Sequence, residues 1–268
     1  MSQIVKAAVL GIVEGLTEFL PISSTGHLIL INEWINFTGD FARMFDIIIQ
    51  LGAILAVIVY FRKKLFPFGW NKTFTEKVET WAIWKKVFIA LIPALLAGAL
   101  LGDFIEKTLF NPVTVAFALL IGGVFLIIVE RRKMPGKCDS FSKLSYQTAL
   151  LIGLFQCLAL IPGTSRSAVT IIGAMFLGTT RLMAAEFSFF LAIPTLVAAS
   201  AYAIIKTNVT ITAIELQSLF TGFGVSFAIA WLVIAGFMKF ISHKDFKAFG
   251  YYRIILGTFI LIYWSVCR

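Results

Sequence analysis

Charge is what this sequence has least of. Asp, Glu, Lys and Arg make up 14% of its 268 residues, against about a quarter in soluble domains. With 59% hydrophobic residues and a mean hydropathy of +0.93, that scarcity excludes an ordinary water-soluble fold. It leaves an integral membrane protein whose apolar surface meets lipid as well as a core. The net charge of +9 is therefore no nucleic-acid footprint, and its meaning lies in which loops carry it. Cysteine is limited to Cys138, Cys157 and Cys267, with no C-x-x-C spacing. That excludes a disulfide framework and a thiolate metal site, and the three read as small apolar residues. Histidine occurs only at His27 and His243. The N-terminal apolar run lacks a small-residue cleavage site and holds Glu14 and Glu18, so it is not expected to be a removable signal peptide.

What is abundant is long apolar runs. A helix needs about 17–25 residues to cross the hydrocarbon. Phe45–Phe61, Val87–Gly102, Pro112–Val129, Phe187–Ile205, Ser218–Met238 and Phe249–Val266 fit or nearly fit. Two further stretches, 4–31 and 147–178, share a broken form: Ile4–Phe19 is a plausible apolar arm but Gly26–Ile31 is far too short to cross, and the second stretch is broken at Pro162-Gly163. They are expected to be helix-turn-helix pairs that enter the membrane and return; two true spans in either stretch is the alternative. The expectation is an all-α integral membrane protein with six transmembrane helices and two re-entrant pairs. Lys and Arg gather in 62–86, 131–143 (Lys133 among them) and 239–253, where Arg253 is counted. The positive-inside rule places those loops in the cytoplasm. The first re-entrant pair then opens outside and the second inside.

This arrangement predicts an inverted repeat in a single membrane domain, with halves at about residues 1–130 and 143–268. At an offset of 142, Gly11 matches Gly153, Glu14 matches Gln156, and Phe45-Asp46 matches Phe187-Ser188. One residue is dropped near the turn, which pairs Pro21-Ile-Ser-Ser with Pro162-Gly-Thr-Ser. Such symmetry is expected where a site forms at the midplane between inverted halves. Residues 73–86 read as an interfacial helix with a Thr73/Glu76 capping box and Trp81 and Trp84 at headgroup level. Gly98 and Gly102 read as a close helix contact.

Ionisable residues at bilayer depth are costly and functional by default. Glu14 and Glu18 stand four apart on one helix face, where two carboxylates repel. A divalent cation resolves this, and Mg²⁺ favours one or two carboxylates with phosphate oxygens and water. Ser23, Ser24 and Thr25 follow Pro21, and a helix starting there puts Ser24 and His27 on one face. A hydroxyl near an imidazole is the minimal activated nucleophile. In the second half, Pro162-Gly163 makes a turn, and Thr164 or Ser165 can cap the next helix. That helix N-terminus suits an anion, and Arg166 adds a planar fork for phosphate oxygens. Ser165, Ser167 and Thr170 add hydroxyls. Together the halves would hold a metal-bridged phosphate beside a nucleophile. A lipid-phosphate flippase or phosphate transporter could use the same cradle, so an enzyme and a carrier both stay open.

These motifs resemble the undecaprenyl-diphosphate phosphatases of the bacitracin-resistance family over nearly the whole chain. The stretches are Glu14-x-x-x-Glu18 running through Pro21-Ile-Ser-Ser-Thr-Gly-His27, Pro162–Thr170, and Ala185–Pro194 with Glu186. The resemblance implies hydrolysis of a polyprenyl diphosphate lipid, dependence on Mg²⁺ or Ca²⁺, and an inner-membrane location with the site facing the periplasm. It implies that Glu14, Glu18, Ser24, His27 and Arg166 carry the chemistry, with Glu14 and Glu18 on the metal. Ser23, Thr25, Gly163, Ser165, Ser167 and Thr170 are the expected substrate contacts. Attack by Ser24 with His27 as base, and attack by His27 itself, both remain open. The acid-phosphatase-like lipid phosphatases need two histidines, and His243 falls in a cytoplasmic loop. The partners expected are the lipid substrate and the bilayer, with no nucleic acid; a homodimer is one open assembly state.

Overall fold

The computed structural model describes residues 1–68, 72–132, 136–206 and 211–267. Lys133 lies outside the described residues, as does the side chain of Cys267. The described residues form helices and no β-strand, with one isolated bridge between Cys138 and Thr179. In chain order the helices are α1 (Gln3–Thr17), α2 (Ser24–Ile35), α3 (Asp40–Tyr60), the single turn α4 (Arg62–Leu65), α5 (Phe74–Leu109), α6 (Pro112–Arg131), α7 (Tyr146–Gln156), α8 (Arg166–Phe176), α9 (Arg181–Lys206), α10 (Ala213–Ile241) and α11 (Lys247–Cys267). A 3₁₀ turn, Cys157–Leu160, extends α7. Six helices, α3, α5, α6, α9, α10 and α11, are long and apolar enough to cross a membrane. Each of the six apolar runs falls on one of them. The chain is a multi-pass membrane protein, and α1 shows Val5, Ile12 and Leu16 on an exposed apolar face.

Three local expectations change. Residues 73–86 are no separate interfacial helix. The capping box forms, with the Thr73 N–H donating to the Glu76 carboxylate at 2.7 Å. The helix it starts then runs on for 36 residues, about 54 Å at 1.5 Å per residue. Among the described residues Gly98 and Gly102 make no close backbone contact: a Cβ on Gly98 would meet only the Leu160 side chain at 3.7 Å, and one on Gly102 nothing within 4 Å. The close approaches belong to other glycines. A Cβ on Gly11 would stand 2.6 Å from the Gly222 carbonyl, and one on Gly123 2.7 Å from that of Gly250. These contacts let α1 lie directly on α10 and α6 on α11. Gly153 against Ala90 does the same for α7 on α5. Finally, Arg253 is no loop cation; it lies inside α11 and is fully buried.

The short helices form two hairpins, α1/α2 and α7/α8. Arms of 15, 12, 11 and 11 residues are short for a hydrocarbon layer of about 30 Å. Their turns match in detail. Ser23 and Ser165 have φ of 73° and 67°. The hydroxyl of each caps the next helix, accepting from the N–H of Gly26 or Ala168. Non-glycine residues rarely hold positive φ. These caps stand 142 apart, so the offset of the first helices is kept and no residue is dropped at the cap. Ser24 therefore corresponds to Arg166, not to Ser165. α5 and α10 likewise both begin in a Thr-x-x-Glu box, Thr73/Glu76 and Thr212/Glu215. Beneath the hairpins lies a phenylalanine-rich core, with Phe19 edge-on to Phe189 at 5.1 Å and Phe61 edge-on to Phe190 at 5.1 Å.

Candidate active site

Glu18 closes α1, Ser24 opens α2 and Arg166 opens α8, and the packing of the two turns brings all three together. One Glu18 oxygen, Oε2, accepts from the Ser24 hydroxyl at 2.6 Å. The other, Oε1, accepts from Arg166 Nη2 at 3.2 Å. Both side chains of this ion pair are nearly buried, where a lone charge would be costly and a neutralised, hydrogen-bonded pair is tolerated. Arg166 Nη1 donates to the Ser188 carbonyl on α9 at 2.9 Å, and the guanidinium lies 6.0 Å from the Phe19 ring. Arg166 Nε is buried without a hydrogen-bond partner among the described residues.

Glu18, Ser24 and Arg166 line a cavity of about 180 Å³. Ser23 and Thr25 join them from the first hairpin, Gly163 and Ser165 from the second. Drug-sized ligands fill pockets of about 300–1,000 Å³, so this one suits a head group and not a whole lipid. Gln50 of α3 and Leu196 of α9 also line it. Sequence reasoning missed Gln50; its signal was one amide inside the apolar run IIIQLGAIL.

Glu14 sits behind this cavity, not on its wall. It is fully buried, and neither carboxylate oxygen has a hydrogen-bond partner among the described residues. Asp46 of α3, which accepts from Asn32 Nδ2 at 2.7 Å, also leaves its second oxygen buried and unpartnered. Glu18 and Asp46 both act electrostatically on Glu14. The orphaned oxygens of Glu14 beside Glu18 fit a divalent cation. Among the described residues no three His, Cys, Asp or Glu side chains gather into a ligand set. Phosphate oxygens and water would supply the rest, as is usual for Mg²⁺.

Comparison with known proteins supplies the family. The family described as Bacitracin resistance protein BacA matches residues 7–259. The chain belongs to the BacA family. It is 51% identical to Undecaprenyl-diphosphatase 1 of Clostridioides difficile (strain 630), over 97% of this chain and 96% of that protein. It is 48% identical to Undecaprenyl-diphosphatase of Acetivibrio thermocellus, over 100% of both. It is 47% identical to Undecaprenyl-diphosphatase of Enterococcus faecalis, over 97% and 96%.

Three residues expected at the site of this BacA-family protein are engaged elsewhere. His27 makes no hydrogen bond to Ser24 and does not line the cavity. Its Nδ1–H donates to the Ser23 carbonyl at 2.7 Å, since a carbonyl can only accept. In the neutral ring, Nε2 accepts from the Tyr252 hydroxyl at 2.7 Å, with the rings stacked at 5.6 Å. The hydroxyl–imidazole dyad is thus replaced by a hydroxyl–carboxylate pair. Ser167 donates to the Leu20 carbonyl at 2.9 Å, and Thr170 bonds Ser188 Oγ at 2.6 Å. Both are buried behind Arg166 and tie α8 to its neighbours, off the cavity wall. Glu186 holds Lys64 through both oxygens at 2.8 Å, a tie between α9 and α4. Two residues of α11, Tyr252 and Arg253, reach the turns although their sequence context read as a loop end.

Proposed function

We propose that this BacA-family protein is an undecaprenyl-diphosphate phosphatase. It removes the terminal phosphate of undecaprenyl diphosphate and returns undecaprenyl phosphate, the lipid carrier for cell-wall synthesis. Relatives named for that activity over the full chain support the reading. The observation that carries the site is Glu18, bonded at once to Ser24 of its own hairpin and Arg166 of the other, beside a cavity sized for a head group. Phosphoryl transfer needs chiefly positioning and charge neutralisation. The carrier reading finds no support among the relatives.

Arg166 and the first turn of α8 bind the diphosphate oxygens. The Ser24 oxygen attacks the terminal phosphorus while its proton passes to Glu18 Oε2. The new Oγ–P bond replaces the bridging O–P bond, and the lipid monophosphate leaves with the proton Glu18 returns. Water then attacks the phosphoserine phosphorus as Glu18 takes its proton, the Oγ–P bond breaks, and Glu18 returns that proton to Ser24 Oγ as phosphate departs. Glu14 and Glu18 would hold Mg²⁺ or Ca²⁺, which supplies further neutralisation of the phosphate charge. The basic loops support a cytoplasmic placement for themselves. The two hairpins then enter from opposite faces as an inverted repeat, and the cavity opens to the outside of the inner membrane.

The test is phosphate release from undecaprenyl diphosphate by protein purified in detergent, where no second compartment exists. Release that stops with chelator and returns with Mg²⁺ or Ca²⁺ is expected. No release under any condition would sink the activity, and chelator-insensitive release would sink the cation.

A further inference from the structure

The proposed chemistry needs groups from two separate hairpins to keep their spacing. Besides the Glu18–Arg166 pair and the Ser167–Leu20 bond, a residue that belongs to neither hairpin ties the two turns together. Arg253 of α11 is fully buried. Among the described residues no carboxylate pairs with it. Among the described residues every hydrogen bond of its guanidinium goes to a main-chain carbonyl. Nη1 donates to Pro21 of the first turn at 3.4 Å. Nη2 donates to Gly163 and Thr164 of the second at 3.2 and 3.0 Å, and to Ala118 of α6 at 3.0 Å. Nε donates to Leu119 at 3.4 Å.

A buried cation without a counter-ion is expensive, and long-lived arrangements of that kind need a reason. Here both turns contain a serine at positive φ, and such backbone persists only where its surroundings over-determine it. Arginine offers five N–H donors in a rigid fork. The fork bridges carbonyls one or two residues before Ser23 and Ser165, and so just ahead of Ser24 and Arg166. The room for it is also specific: a Cβ on Gly122 of α6 would come within 3.0 Å of Arg253 Cζ. The preceding residue, Tyr252, holds His27 of the same first hairpin.

We infer that Arg253 is a positioning residue for phosphate hydrolysis: it clamps the two hairpin turns so that Ser24 and Glu18 stay aligned with Arg166. This rests on the site reading above. Substrate binding is shared among many groups, whereas alignment of nucleophile and cation matters at the transition state, so the clamp acts on kcat more than on KM. Misplacing reacting groups by 1 Å costs about 100-fold.

The test compares Arg253→Lys, Gly122→Ala and Ser24→Ala with the wild type, in detergent, with undecaprenyl diphosphate. Steady-state kinetics, thermal unfolding and gel filtration are read together. Arg253→Lys should lose about 100-fold in kcat with KM changed less than about threefold, in a folded, monodisperse protein. Gly122→Ala keeps the guanidinium but displaces it, and should move kcat in the same direction from a position that does not line the cavity. It carries the test alone if Arg253→Lys does not fold. Wild-type kcat in either folded variant overturns the clamp, and so does a kcat loss that only tracks unfolding. Ser24→Ala separates the two ideas. If it stays fully active the site reading falls, and the clamp with it. If it is dead while Gly122→Ala and Arg253→Lys turn over normally, the site stands and the clamp alone fails.

Discussion

Each hairpin turn ends in a serine at positive φ that caps the next helix, and each of those helices starts on the cavity wall. From that shared frame the chemistry separates. The first residue of the helix is Ser24 in one hairpin and Arg166 in the other. Glu14 stands where the second half has Gln156, and Asp46 where it has Ser188. One hairpin brings carboxylate acceptors and a hydroxyl, the nucleophile of the proposal; the other brings a cation and helix N–H groups. The difference teaches that the shared turn geometry fixes positions, and that the residue types set there fix what each hairpin offers. Glu18 makes the junction, because its carboxylate has one oxygen for each side.

The sharpest way to break this comparison is at the two matched residues. Ser24→Ala should lower kcat by about a thousandfold or more, as expected on losing a nucleophile, with the unfolding temperature kept. A phosphate-release assay on the folded variant decides it, and near-normal turnover would overturn the site reading. Arg166→Lys should cost about 100-fold, since an ammonium cannot hold Glu18, Ser188 and phosphate in one plane. The frame itself is tested by Gly11→Ala and Gly153→Ala, where a Cβ meets the backbone of α10 or α5. Each should destabilise by about 1–3 kcal/mol, read from denaturation in detergent. A loss confined to one half would show that the two hairpins are seated differently. The smallest effect is expected off the cavity: Tyr252→Phe removes one hydrogen bond to His27, worth about 0.5–1.5 kcal/mol. Loss of essentially all activity in that variant would return His27 to the reacting atoms.

The sequence by itself determined what depends on near neighbours. Hydropathy marked the membrane class and six spans, because the cost of burying charge in lipid is paid residue by residue. Short arms around Pro21 and Pro162 marked the hairpins, and serine or threonine before a helix marked its caps. The polar residues worth watching were legible for the same reason: Glu14, Glu18 and Arg166 are conspicuous among apolar neighbours. Only the tertiary structure decided which of those groups meet. Ser24 and His27, three residues apart, look like partners, yet the hydroxyl turns to Glu18 and the imidazole to a tyrosine 225 residues away. Arg253 read as a loop cation until α11 packed against α6 and carried it to carbonyls of both turns. Partner choice follows from side-chain direction and from which helices lie side by side. Contacts between residues far apart in the chain set both, and no local pattern encodes them.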